Sequence, residues 1–182
     1  RPRDWSSDVC SSDLRYFRAT LPDGHSFIVM DAPPEREDTG PFIRVAGLLR
    51  EAGLTVPEIV AADVSRGFLL LTDLGHETYL QAIRSARLSD ADIDRLYSEA
   101  LDALVKWQLA TRPGMLPPYD DPLLRREMSL FPEWYVGRHL NLRLESAQLA
   151  SLAEIENLLV DSALAQESVY VHCDYMPRNL ML

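Results

Sequence analysis

Eight consecutive residues near the end of the 182-residue chain carry side chains that could work together: His172-Cys173-Asp174-Tyr175-Met176-Pro177-Arg178-Asn179. The spacing is H-x-D-x-x-x-x-N. The apolar Leu180-Met181-Leu182 follows it, and a β-rich run, Val169-Tyr170-Val171, precedes it. Phosphoryl transfer needs a carboxylate beside the attacking hydroxyl, to orient it and take its proton. It also needs oxygen ligands for the Mg²⁺ that neutralises the phosphates. A loop of four residues between Asp174 and Asn179 can bring both side chains to one point. Asp174 is then the catalytic base, Asn179 the metal ligand, and His172 a brace that holds the loop by hydrogen bonds. Arg178, a cation in the same loop, joins the catalytic set. The alternative is a tight turn that Asp174 and Asn179 only shape. A hydrolytic metal site on His172 and Asp174 has too few ligands.

The elements that must position this loop divide into a β-rich first half and a helical second half. Residues 15–21 and 26–31 are joined by Pro22-Asp23-Gly24, which predicts a hairpin. A helix follows, capped by Asp38 or Thr39, with Pro41 in its first turn and Gly53 at its stop. Phe42, Val45, Ala46 and Leu49 line one of its faces. Strands are predicted at residues 58–62 and 67–72; the uniformly apolar Phe68-Leu69-Leu70-Leu71 suits a central, buried strand. Ser89-x-x-Asp92 opens a long amphipathic helix through Ile93, Leu96, Tyr97, Ala100, Leu101, Leu104 and Trp107, ended by Pro113 and Pro117-Pro118. Residues 123–140 are helical, with a break or restart at Pro132, and Asp120-Asp121 caps them. A third helix spans residues 147–160, with Leu149, Leu152, Ile155 and Leu159 on one face. Residues 168–172 form a short strand leading into the motif.

Composition removes several function classes. There are 18 basic and 28 acidic residues, a net charge of −10. Nucleic-acid backbones and anionic membranes require a cationic surface, so neither is an expected partner. No apolar run approaches the roughly 20 residues of a membrane span, and no signal peptide is visible. Two cysteines make no disulfide framework, so a cytoplasmic, reducing setting is expected. Lys106 is the single lysine and lies on the predicted long helix. Residues 3–14 resemble the conceptual translation of a DNA-sequencing adapter. Residues 1–14 are therefore set aside as an artefactual or disordered leader. Beyond them the chain starts inside a strand at Arg15 and ends on an apolar run without a cap, which predicts a fragment cut at both ends.

The catalytic-loop pattern, behind a small β half and a helical region, resembles that of the protein-kinase-like phosphotransferases. Three phrases narrow the likeness: Ile28-Val29-Met30-Asp31-Ala32-Pro33-Pro34, Leu130-Phe131-Pro132-Glu133-Trp134-Tyr135 and Asp174-Tyr175-Met176-Pro177-Arg178-Asn179-Leu180-Met181. With Phe68-Leu69-Leu70-Leu71-Thr72-Asp73-Leu74-Gly75 they resemble the bacterial anomeric kinases of N-acetylmuramate and N-acetylglucosamine in cell-wall recycling, within the aminoglycoside-phosphotransferase-like group. The likeness covers about residues 15–182. It implies an α+β, two-lobe kinase-like fold truncated at both ends, with residues 15–75 as partial N-lobe and hinge and 76–182 as partial C-lobe. It implies ATP and Mg²⁺ as cofactors, and phosphorylation of the C1 hydroxyl of a small amino sugar, feeding UDP-sugar synthesis. The hinge backbone at Thr72, Asp73 and Leu74 would pair with adenine. Glu127, Trp134 and Tyr135 are the candidate sugar contacts, since an aromatic face suits sugar C–H groups and charge suits hydroxyls. The alternative is that Phe131, Trp134 and Tyr135 are helix core.

Three departures from the pattern bear on activity. Cys173 stands where related kinases usually carry Arg or Gly; a thiolate is disfavoured beside an anion, so a small buried residue is expected. The strand at residues 26–30 lacks the lysine that holds the α/β-phosphates, and Arg18 is the candidate substitute. The phosphate-covering loop and the second metal-binding aspartate both fall outside the chain, so the chain as written is expected to be inactive. The rival readings are another aminoglycoside- or choline-type phosphotransferase, and a non-catalytic nucleotide-binding relative, which the missing lysine favours.

Overall fold

The computed structural model describes residues 14–182; most of the adapter-like run, Cys10 included, lies outside the described residues. The fold is α+β. Strands β1 (Arg15–Thr20), β2 (Ser26–Asp31), β3 (Ile59–Asp63) and β4 (Phe68–Thr72) form one antiparallel sheet in the order β1-β2-β4-β3. The hairpin turn is closed by Leu21 N–H on His25 C=O at 2.8 Å and Gly24 N–H on Leu21 C=O at 3.0 Å. β4 is central, as its apolar run implies. Only alternate residues are fully buried, Leu69 and Leu71, because strand side chains alternate between faces. Met30 sits opposite Leu69 and Ile28 opposite Leu71, and these side chains make one core with Ala32.

Helix α1 (Gly40–Glu51) lays Phe42 and Ile43 on that core. Its most buried residue is Leu48, while the expected face of Phe42, Val45, Ala46 and Leu49 is half-buried. Thr39 is the N-cap residue but makes no side-chain cap bond; Asp38 instead accepts from Gly40 N–H at 2.8 Å. Where the chain turns into β4, Ala32 N–H donates to Gly67 C=O at 2.9 Å.

Two helices follow. α2 (Tyr79–Arg84), absent from the sequence reading, starts with a capping box of Thr78 and Gln81. The pattern T-x-x-Q was available as its signal. α3 (Asp90–Leu109) starts with the expected Ser89–Asp92 capping box. Its buried stripe is narrower than its apolar pattern: Leu96, Ala100 and Trp107 are buried, whereas Tyr97 and Leu101 are exposed. A second core joins Tyr79, Leu96 and Ala100 with Ile83, Leu88, Tyr175 and Leu180.

The chain divides into two compact units, one of described residues 14–110 with 171–182, the other of residues 111–170. The second holds α4 (Asp121–Leu130), a π-helical segment (Phe131–His139) and α5 (Ser146–Leu164). Asp120 caps α4 by accepting from Leu123 N–H at 3.2 Å. The helical stretch is not broken at Pro132; it widens there into π geometry, with Leu140 N–H reaching back to Tyr135 C=O at 2.9 Å. Arg125, paired with Asp121 on its own helix, donates to Asn157 of α5 at 2.9 Å. The apolar face of α5 is largely uncovered: Leu149, Ile155 and Leu159 are about half exposed among the described residues, and Val160 is the buried position. The strand expected at residues 168–172 is not formed. A strand needs a neighbouring ladder, and Tyr170 N–H donates instead to Thr111 Oγ1 at 2.8 Å. No described helix is long and apolar enough to cross a membrane.

Candidate active site

Backbone and side-chain bonds anchor the loop. Residues 171–182 belong to the unit that contains the sheet, α2 and α3. Past the single 3₁₀ turn Pro177–Asn179, the chain runs antiparallel to the start of α2. Tyr79 N–H donates to Leu180 C=O at 2.9 Å and Leu182 N–H donates to Glu77 C=O at 2.9 Å, and these two bonds form the Thr78–Met181 bridge. Tyr175 enters the second core, and its hydroxyl donates to Ala100 C=O of α3 at 2.5 Å. Burial, and then the neighbouring Tyr79, push the Tyr175 hydroxyl pKa up, so it stays a donor.

Within this frame the two polar side chains of the motif meet. Asn179 Nδ2 donates to Asp174 Oδ2 at 2.7 Å and to the Asp174 main-chain oxygen at 2.9 Å. The 3₁₀ turn sets this approach, with Asn179 N–H on Met176 C=O at 2.8 Å. Both residues are exposed. With Nδ2 engaged, the remaining polar atom of the Asn179 amide is Oδ1, a hard oxygen donor beside a carboxylate. That donor set suits Mg²⁺, which takes few protein oxygens and completes its shell with phosphate and water. No cluster of three or more ligating His, Cys, Asp or Glu side chains exists among the described residues.

The loop's other members are placed as follows. His172 is exposed and meets Tyr175 edge to face, ring centres 5.2 Å apart and planes at 70°. Arg178 is exposed on the 3₁₀ turn. Cys173 is exposed, not buried as expected, and belongs to no disulfide among the described residues. Its φ of +65° is in the left-handed region, where a glycine is free and a cysteine is strained. That strain sits one residue before Asp174.

The connector after β4 is pinned on both sides. Thr72 N–H donates to Glu58 C=O and Thr72 Oγ1 accepts from Glu58 N–H, each at 2.9 Å. Asp73 accepts from Arg18 Nε at 2.5 Å, from a second Arg18 nitrogen at 2.9 Å, from the Ser26 hydroxyl at 2.8 Å and from Gly75 N–H at 3.0 Å. These donors, Arg18 foremost and then Ser26 and Gly75, hold its carboxyl well below the usual carboxylate range. Arg18, read as a phosphate contact, is turned onto the connector: it also donates to Gly75 C=O and faces His76 Nδ1, both at 2.5 Å. Leu74 lies between these contacts, and among the described residues its backbone N–H and C=O have no partner. The sequence reading missed Ser26, Gly75 and His76. Asp73-Leu74-Gly75, an Asx-type turn pattern, was the available signal.

Glu127, Trp134 and Tyr135 all lie in the second unit. Glu127 accepts from the Tyr119 hydroxyl. The Arg138 guanidinium covers one face of Trp134, 3.8 Å from the ring centre. Tyr135 stacks on Phe131 at 5.6 Å and meets His139 at 5.4 Å. An open apolar groove of about 390 Å³ in this unit is lined by Phe131, Leu144, Leu152 and Ile155 among others, and by none of the expected site residues.

Comparison with known proteins gives a consistent answer. The chain is 52% identical over 177 residues to the N-acetylmuramate/N-acetylglucosamine kinase of Pseudomonas aeruginosa, covering 97% of this chain and 50% of that protein. The kinase of the same name from Pseudomonas putida is 52% identical over 179 residues, 97% of this chain and 51% of its own. The Neisseria meningitidis kinase of that name is 39% identical over 183 residues, 99% of this chain and 54% of its own. The chain thus spans about half the length of the curated relatives it matches. The model of the phosphotransferase enzyme family matches residues 10–182, which include the sheet, the connector and the Asp174–Asn179 loop, and the chain belongs to that family.

Proposed function

We propose that the full-length protein is an ATP- and Mg²⁺-dependent kinase acting on the C1 hydroxyl of N-acetylmuramate or N-acetylglucosamine in the cytoplasm. The observation that carries this reading is the meeting of Asp174 and Asn179, 2.7 Å apart, on a loop tied to α2 and α3. The names of the relatives supply the sugar. Asp174 is the base: its carboxylate accepts a hydrogen bond from the attacking hydroxyl, orients it, and takes its proton. The C1 oxygen bonds to the γ-phosphorus of ATP as the bond from that phosphorus to the bridging oxygen breaks, and ADP leaves. Asn179 holds the carboxylate in place through Nδ2 and would hold Mg²⁺ through Oδ1. The ion, when bound, offsets phosphate charge. His172 supports the loop through the Tyr175 ring, and Arg178 is the nearby cation of the same turn. The backbone N–H and C=O of Leu74 offer the donor–acceptor pair that an adenine edge requires. Trp134, Tyr135 and Glu127 are the sugar-contact candidates of the helical unit.

The test is product identity. Incubated with ATP, Mg²⁺ and either sugar, the full-length protein is expected to give a ³¹P resonance of an anomeric sugar phosphate with matching ADP release. Phosphate transfer to an aminoglycoside or choline, and to neither sugar, overturns the sugar assignment. Nucleotide binding without transfer to any acceptor overturns the kinase reading.

A further inference from the structure

We propose that Asp73 and Arg18 are a positioning pair for the nucleotide: by fixing the connector from β1 and β2, they hold the Leu74 backbone where a base is read. This rests on the reading of the connector as the nucleotide-binding hinge. Arg18 comes from β1 and Ser26 from the start of β2, and Asp73 is 55 residues beyond Arg18 in sequence. Both converge on one carboxylate that is 5% exposed. β1 is not adjacent to β4 in the sheet, so this contact spans an intervening strand and ties the connector to the far edge. The Arg18 fork bonds both oxygens of Asp73 and then the main-chain oxygen of Gly75. Gly75 N–H returns to Asp73, which closes a ring of bonds around Leu74.

Arg18 is two-thirds buried against its partners, and a planar fork loses less freedom per bond formed than an ammonium does. The three residues 73–75 are thereby held from both ends while the peptide groups of Leu74 stay unpaired among the described residues. A backbone that is fixed and has unpaired polar groups is preorganised for a planar ligand edge, which reduces the ordering cost of binding. A mobile connector would leave the same groups to water. The pair acts through the backbone and touches no substrate.

The experiment measures ATP affinity by calorimetry on the full-length protein, together with KM for N-acetylmuramate. Asp73→Ala and Arg18→Leu are each expected to weaken ATP binding about tenfold, a loss of about 1.4 kcal/mol, with KM for the sugar within twofold. Arg18→Lys, which keeps the charge but not the fork, is expected to recover only part of the affinity. Ser26→Ala, a milder change that keeps the ion pair, is expected to weaken ATP binding two- to threefold, and it keeps the test decisive if Asp73→Ala does not fold. Unchanged ATP affinity in folded variants of a wild type that binds ATP overturns the positioning role and leaves the kinase reading intact. Equal losses for ATP and sugar also overturn it, because a general structural role would move both. A wild type that neither binds ATP nor phosphorylates sugar removes the hinge reading and this inference with it.

Discussion

At Gly67 the fold leaves no space for a side chain. Its φ is +74°, and a Cβ placed there would lie 1.8 Å from the main-chain oxygen of Ala32. Gly67→Ala is expected to cost about 3 kcal/mol, from left-handed strain and overpacking together. Urea unfolding of the two proteins measures it; a change below about 1 kcal/mol contradicts the close approach. Asp174 and Asn179 were legible because their spacing alone brings them to one turn, and the structure places them in contact. The partners of Asp73 were not, because Arg18 and Ser26 meet it only once the sheet has formed. Cys173 was misjudged for a related reason: burial depends on how the loop is anchored, and the residue is exposed, with a left-handed φ. Arg18 meets the connector through contacts that no local pattern contains.

Among the elements, the Tyr175 hydroxyl and the 180–182 backbone tie the candidate loop to α3 and to the start of α2. Tyr175→Phe removes the bond to Ala100 C=O and keeps the ring, so a loss of about 1 kcal/mol is expected in urea unfolding. Tyr97→Phe, at an exposed ring on the same helix α3, is the control and is expected to change stability by less than about 0.5 kcal/mol. Element types were legible wherever a local device defines them: the hairpin turn, the Ser89–Asp92 capping box and the Asp120 cap. α2 escaped because it is short and its periodicity is too brief to register, although its cap was in the sequence. The π-helical segment escaped because proline signals a disturbance in a helix and not which wider geometry replaces it. On α5 the periodicity identified an apolar face correctly; what covers a face is a tertiary property, and most of this one stays exposed among the described residues.

For the whole molecule, the α+β class and the order of sheet before helices were readable from patterning alone, and the family followed from a few phrases that the comparisons match over nearly the full chain. The division into compact units was not readable: it falls at residues 110 and 170, in the helical half, because residues 171–182 return to pack beside α2. That return joins the connector's continuation, Glu77–Tyr79, to the residues just after Asn179 through two backbone hydrogen bonds, which make the Thr78–Met181 bridge. The connector proposed to read adenine and the proposed base thus share one frame, and the central claim is that this frame serves phosphoryl transfer with Asp174 as its base. The most direct measurement is the rate of ATP-dependent phosphorylation of N-acetylmuramate by the full-length protein and by its Asp174→Asn variant, with thermal unfolding confirming that both are folded. The expected result is a fall in kcat of about 10³-fold, with ATP affinity retained. A variant that turns over within tenfold of the wild type contradicts it.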